Sequence, residues 1–91
     1  MIRLLLICLC CWPLIASANE DALAQRLFKQ ARYAEAAELF SDPFWRGISL
    51  YRAEQWVRAA EAFAMSPHPM ARYNLGNCYA RLGHYALALQ T

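Results

Sequence analysis

Four cysteines, two histidines and seven carboxylates are the groups of this sequence best equipped for chemistry, and their spacing leaves little of it available. Cys8, Cys10 and Cys11 crowd into one apolar run, with no small-residue lipobox before any of them, so they read as apolar filler. Cys78 stands apart, and a lone cysteine closes no internal disulfide. A redox role would require an exposed thiol of lowered pKa; packing as a small hydrophobe is the simpler expectation. His68 lies between Pro67 and Pro69, and His84 follows Gly83. Two histidines sixteen positions apart (84 − 68) with one thiol make no zinc-ligand pattern. No Ser, Asp or Glu completes a triad, and no glycine-rich phosphate loop occurs. Glu35, Glu38 and Glu61 are expected to be solvated surface. The reading is of a protein that is not an enzyme, with no cofactor, metal or small-molecule substrate.

The bulk properties agree. Nine Lys and Arg against seven Asp and Glu leave a formal charge of +2, too balanced for a dedicated nucleic-acid binder. Ninety-one residues allow one small domain. With three Gly, four Pro and abundant Ala, helices are favoured over strands.

Residues 1–18 form a separate unit. Met1-Ile2-Arg3 gives a cationic start, Leu4 to Ile15 is apolar apart from Pro13, and Ala16-Ser17-Ala18 supplies an A-x-A ending. These are the marks of a secretory signal peptide. The run is shorter than the roughly 20 residues that a membrane-spanning helix takes. Export, with a bacterial periplasm as destination, is therefore expected; an uncleaved anchor in the inner membrane is the alternative.

The elements that must position everything else repeat. Tyr33-x-x-Ala36-x-x-x-Phe40 recurs as Trp56-x-x-Ala59-x-x-x-Phe63 and begins again as Tyr85-x-x-Ala88. Nine residues before the leading aromatics stand Ala24, Gly47 and Gly76; ten before stand Leu23, Arg46 and Leu75; six before stand Leu27, Leu50 and Tyr79. Small residues at a helix crossing with large ones a turn away suit close packing. Helices are predicted from Asp21 to Gln30, Tyr33 to Phe40, Phe44 to Ala53, Gln55 to Met65 and Met70 to Leu82. Asn19, Glu20 and Asp21 would begin the first. Ser41-Asp42-Pro43 and Ser66-Pro67-His68-Pro69 would break the chain, and Gly83 would supply a tight bend.

The stretch from Ala71 to Ala88 resembles the first half of a tetratricopeptide repeat, carrying its Asn-Leu-Gly-Asn (Asn74 to Asn77), Tyr79, the Gly83-x-Tyr85 turn and Ala88. The two earlier units match more loosely. A full repeat holds about 34 residues, whereas the spacings here are 56 − 33 = 23 and 85 − 56 = 29. Asp42 to Ala53 is similar to the repeat region of bacterial Bat proteins of aerotolerance operons, although their von Willebrand A-type domain is absent from this sequence. The fold class expected is all-α: a tetratricopeptide-like antiparallel helix-pair solenoid over 19–91, of about three short repeats with the last truncated, after the signal helix.

The resemblance implies a concave groove lined by the first helix of each pair. Its positions fall on Lys29, Arg52 and Arg81, on Asp21, Phe44 and Tyr73, on Gln25, Ile48 and Asn77, and on Phe28, Tyr51 and Ala80. A cationic stripe with an aromatic floor would grip a partner protein or peptide, especially an acidic one. The competing explanation is that Lys29, Arg52 and Arg81 close their helices, where the dipole favours cations whatever the function. The family's peptide-carboxylate clamp is matched only at Asn77 and Asn74. The alternative function is a structural or assembly piece of a membrane-associated Bat-type complex, self-associating through an uncapped C-terminal helix.

Overall fold

The computed structural model describes residues 18–83, among which all regular structure is helical. Helix α1 covers residues 18–29, α2 Tyr33–Leu39, α3 Pro43–Arg52, α4 Trp56–Ala64 and α5 Ala71–Arg81. Each helix packs on the next, so three- to six-residue links turn the chain back on itself. Residues 1–17, nearly all of the expected signal segment, together with Tyr85 and Ala88 of the third unit, lie outside the described residues.

Predicted and observed boundaries differ by one or two residues, except at the start. Residues 18–20 are already helical, three residues ahead of the expected Asp21. Asp21 accepts hydrogen bonds from the Ser41 amide at 3.0 Å and the Ser41 hydroxyl at 2.8 Å, tying α1 to the α2–α3 link. Asp42 caps α3 by accepting from the Trp45 amide at 3.1 Å, with Pro43 in the first turn, where its missing N–H costs nothing. Glu35 and Glu38 are exposed but paired, with Arg32 at 2.6 Å and Arg58 at 2.8 Å. Both carboxylates lie on the solvated surface, as does the exposed Glu61, and Arg58 links α4 to α2.

The core follows the repeated positions. Ala24, Leu27, Ala36 and Phe40 form one buried cluster. Ala37, Leu50, Ala59, Ala60, Ala62, Phe63, Ala71 and Cys78 form a second, larger one. Alanine is the commonest residue in both clusters, and its small side chain lets short helices approach closely. Gly47 is the tightest case: a Cβ there would stand 2.7 Å from two carbons of the Phe63 ring.

The bends before the leading aromatics share one backbone device. Ala31 (φ 62°), Glu54 (φ 62°) and Gly83 (φ 81°) are left-handed, each two residues ahead of Tyr33, Trp56 or Tyr85. At the first bend the amides of Arg32 and Ala31 donate to the carbonyls of Leu27 and Phe28, at 2.9 and 3.0 Å. At the second, Gln55 and Glu54 donate to Leu50 and Tyr51 at 2.9 and 3.0 Å. Both are Schellman closures, which satisfy the last carbonyls of the preceding helix. Gly83 repeats the inner bond, its amide donating to Ala80. Only Gly83 announces the bend in the sequence, because alanine and glutamate do not favour positive φ.

Candidate functional site

Two brackets of the same design lie at these bends. Phe28, near the end of α1, meets Tyr33 edge-to-face, centroids 5.1 Å apart. Tyr51, near the end of α3, meets Trp56 in the same way at 4.9 Å. The Schellman turn sets both pairs, since it brings residues five apart (33 − 28, 56 − 51) back into contact. A guanidinium from the following pair then closes each bracket. Arg52 lies 5.5 Å from the Phe28 centroid and 5.6 Å from that of Tyr33, and its Nη1 donates to the Tyr33 hydroxyl at 3.5 Å. Arg81 lies 5.5 Å from the Trp56 centroid and donates from Nε to the Tyr51 hydroxyl at 3.3 Å. The hydrogen bond to Tyr51, with a smaller contribution from Glu54, holds Arg81 more firmly protonated than usual.

The expected groove residues therefore divide among several places. Tyr51 and Arg52 line a cavity of about 540 Å³ with Tyr33, Ile48, Glu54, Trp56 and Asn74. Arg81 overhangs Trp56 beside it. Lys29 lines a different cavity of about 390 Å³ with Gln25, Phe28, Phe40 and Trp45. Phe44 packs against the larger core, its ring 5.9 Å from Phe63, and stacks on the His68 imidazole at 3.7 Å and 13°. Tyr73 is 64% exposed and lines neither cavity. Asn77 is half-buried in α5. Of the repeat-marking residues, Ala36, Phe40, Gly47, Ala59 and Phe63 are buried, while Leu75, Gly76 and Tyr79 are half-buried in α5.

Chemically, the larger cavity is a mixed site. Arg52 offers hydrogen-bond donors held in place by two rings, Glu54 offers an acceptor, and Tyr33, Tyr51 and Trp56 offer flat apolar area. Such a site grips and orients; none of its residues is arranged as a nucleophile with a base. Sequence reasoning reached Tyr51 and Arg52 but treated Tyr33 and Trp56 as structural markers and passed over Glu54. The aromatic pairs at spacing five, each followed in the next unit by an arginine in a last helical turn, were the available signal.

His68 forms the α4–α5 junction, its Nδ1 accepting from the Met70 amide at 3.0 Å and its own amide donating to Ser66 Oγ at 3.1 Å. Cys78 is fully buried, and loss of solvation pushes its thiol up to about 11. Among the described residues no group of His, Cys, Asp and Glu could hold a metal ion, and no helix is long and apolar enough to cross a membrane. Compared with protein-family models, curated proteins and solved structures, the chain finds no match in any of the three.

Proposed function

We propose that this chain is a non-enzymatic helical-repeat scaffold of tetratricopeptide type that holds a segment of a partner protein in the Arg52 cavity. The observation that carries the reading is the recurrence of the bracket, Phe28–Tyr33–Arg52 and then Tyr51–Trp56–Arg81, across successive helix pairs. A guanidinium already confined by rings loses little further freedom on gripping a carboxylate, and aromatic walls give contact area at low entropic cost. The left-handed residues at 31, 54 and 83 support a repeating unit, because the same bend recurs where the sequence repeats. An exported compartment is part of the proposal, with residues 1–18 acting as a cleaved signal or as an anchor beside a membrane-associated complex; the signal-like pattern of Met1 to Ala18 supports it.

Binding of short acidic peptides to the full chain tests the reading. Arg52→Gln should weaken binding about tenfold, one charge-assisted contact at 1.4 kcal/mol per decade. Arg52→Lys, which keeps the charge and loses the fork, should fall between. Equal affinity for acidic and charge-neutral peptides, or no change in either variant when both melt like the parent, would overturn it. A second reading, an assembly piece, rests on Val57, Met65, Met70 and Tyr73, exposed apolar side chains on α4, α5 and their link. Concentration-dependent sedimentation, lost on Met65→Lys with Tyr73→Lys, would favour that reading.

A further inference from the structure

Trp45 has no role in either bracket and none in the repeat pattern, yet it completes an aromatic enclosure. Its indole meets Phe28 edge-on at 5.8 Å, lies near-parallel to Phe40 at 6.1 Å and 27°, and meets Phe44 edge-on at 6.1 Å. Phe28 and Phe40 close the set at 6.4 Å. Despite these contacts Trp45 remains 46% exposed. Three of these four rings, Phe28, Phe40 and Trp45, line the cavity of about 390 Å³, whose wall is almost wholly apolar. Its only polar lining residues are Gln25 and Lys29, one helical turn apart on α1. No salt bridge engages Lys29 among the described residues. The Arg52 guanidinium lies 5.5 Å from the Phe28 centroid, so this apolar hollow has Lys29 in its lining, a second cation beside one of its rings and no carboxylate in its lining.

We infer that the Phe28–Phe40–Trp45 hollow is a second binding site, taking an aromatic or branched aliphatic side chain of a partner peptide with a carboxylate beside it. Size and charge decide the occupant. A hollow of this volume accommodates one large side chain, whose burial between rings supplies affinity without needing a polar partner. A carboxylate next to that side chain reaches Lys29, while a cation there meets like charge from both Lys29 and Arg52. The charges thus set the sign of the flanking residue, and the rings set the anchor. This inference stands apart from the Arg52 cavity: the Arg52 guanidinium is here only a neighbouring charge, and Lys29 is the grip.

The experiment uses the full chain and three acetylated, amidated probe peptides. In the first a phenylalanine is flanked by aspartates; in the second by lysines; in the third the phenylalanine is alanine. Calorimetry reads the affinity, and the part of the tryptophan emission change that is lost in Trp45→Leu reads occupancy of the hollow, since Trp56 lines the other cavity. The aspartate peptide should bind at least tenfold more tightly than the other two. Lys29→Glu, at an exposed position, should invert the preference in favour of the lysine peptide. Trp45→Leu should weaken the aspartate peptide and leave the effect of Arg52→Gln at the other cavity intact. Equal binding of the aspartate and lysine peptides overturns the inference, as does an unchanged preference in Lys29→Glu. Displacement of the aspartate peptide by a short-chain fatty acid that itself binds more tightly would also overturn it, since the hollow would then be a small-amphiphile site.

Discussion

Replacing Gly47 with alanine sets two known effects against each other at one position. Glycine within a helix is less stable than alanine by about 1 kcal/mol, so helix propensity alone makes Gly47→Ala stabilising. Packing opposes it. The new Cβ would meet Phe63 Cδ1 and Cε1 at 2.7 Å and Cγ at 3.0 Å, against about 3.5–4.0 Å for relaxed carbon contacts. Phe63 is 2% exposed, and Phe44 lies edge-on to it at 5.9 Å, so the ring has no free volume into which to retreat. Overpacking a filled core costs about 1–3 kcal/mol, and an overlap near 1 Å against an immobile ring belongs at the upper end. The net expectation is destabilisation by about 1–2 kcal/mol. Urea unfolding followed by circular dichroism would register that as a lower midpoint with unchanged slope. Thermally it amounts to a Tm lower by roughly 5–15 °C for a domain of this size. Phe63→Leu supplies the second arm. It should destabilise alone, but in the double variant Gly47→Ala should become neutral or favourable, giving a coupling of about 1–2 kcal/mol. A Gly47→Ala protein more stable than the parent, or additive substitutions, would refute the packing argument.

Ala31→Gly and Glu54→Gly should each stabilise by about 1 kcal/mol, because both positions have φ of 62° and L-residues pay a steric cost there. Thermal melts check this, and Gly83→Ala should run the other way. Cys78, with its thiol pushed up to about 11 from 9.0, should present about a hundredfold less thiolate at pH 8 than a thiol of ordinary pKa, and burial further slows its reaction with disulfide reagents. Unfolding should release it to normal reactivity. The native state holds this proton more tightly than the unfolded chain. Its contribution to stability is therefore complete below pH 9 and is lost as pH rises towards 11. Cys78→Ala should flatten that alkaline decline.

How much was legible in the sequence varied with the kind of feature. Helix positions were readable because alanine-rich stretches, proline breaks and period-3.6 apolar residues are local signals, and the boundaries Pro43–Arg52 and Trp56–Ala64 came within a residue or two of expectation. Asp42 as a cap is legible for the same reason: its bond to the Trp45 amide spans three residues. The bond from Ser41 to Asp21 was not legible because the two lie twenty positions apart, and local capping preference gives no warning of that. The bends at Ala31 and Glu54 were hidden by residue type. Their left-handed geometry is imposed by the packing of the helices they join, which overrides local preference.

That the described chain is helical, where its helices break, and that small residues recur nine positions before each leading aromatic could all be read from the amino acids. Those are consequences of propensity and periodicity, which act over a turn or two. Where the arginine side chains lie emerged only from the packing of the helices. Arg52 and Arg81 read alike as groove cations or helix-closing cations; the fold lays Arg52 over Phe28 and Tyr33, and Arg81 over Trp56 with a hydrogen bond to Tyr51. It also separated Lys29 from them, in an apolar hollow with Phe28, Phe40 and Trp45. The physical reason is that side chains from different helix pairs meet at distances fixed by how closely the helices approach. That approach depends on contacts such as Gly47 against Phe63, which no local pattern encodes.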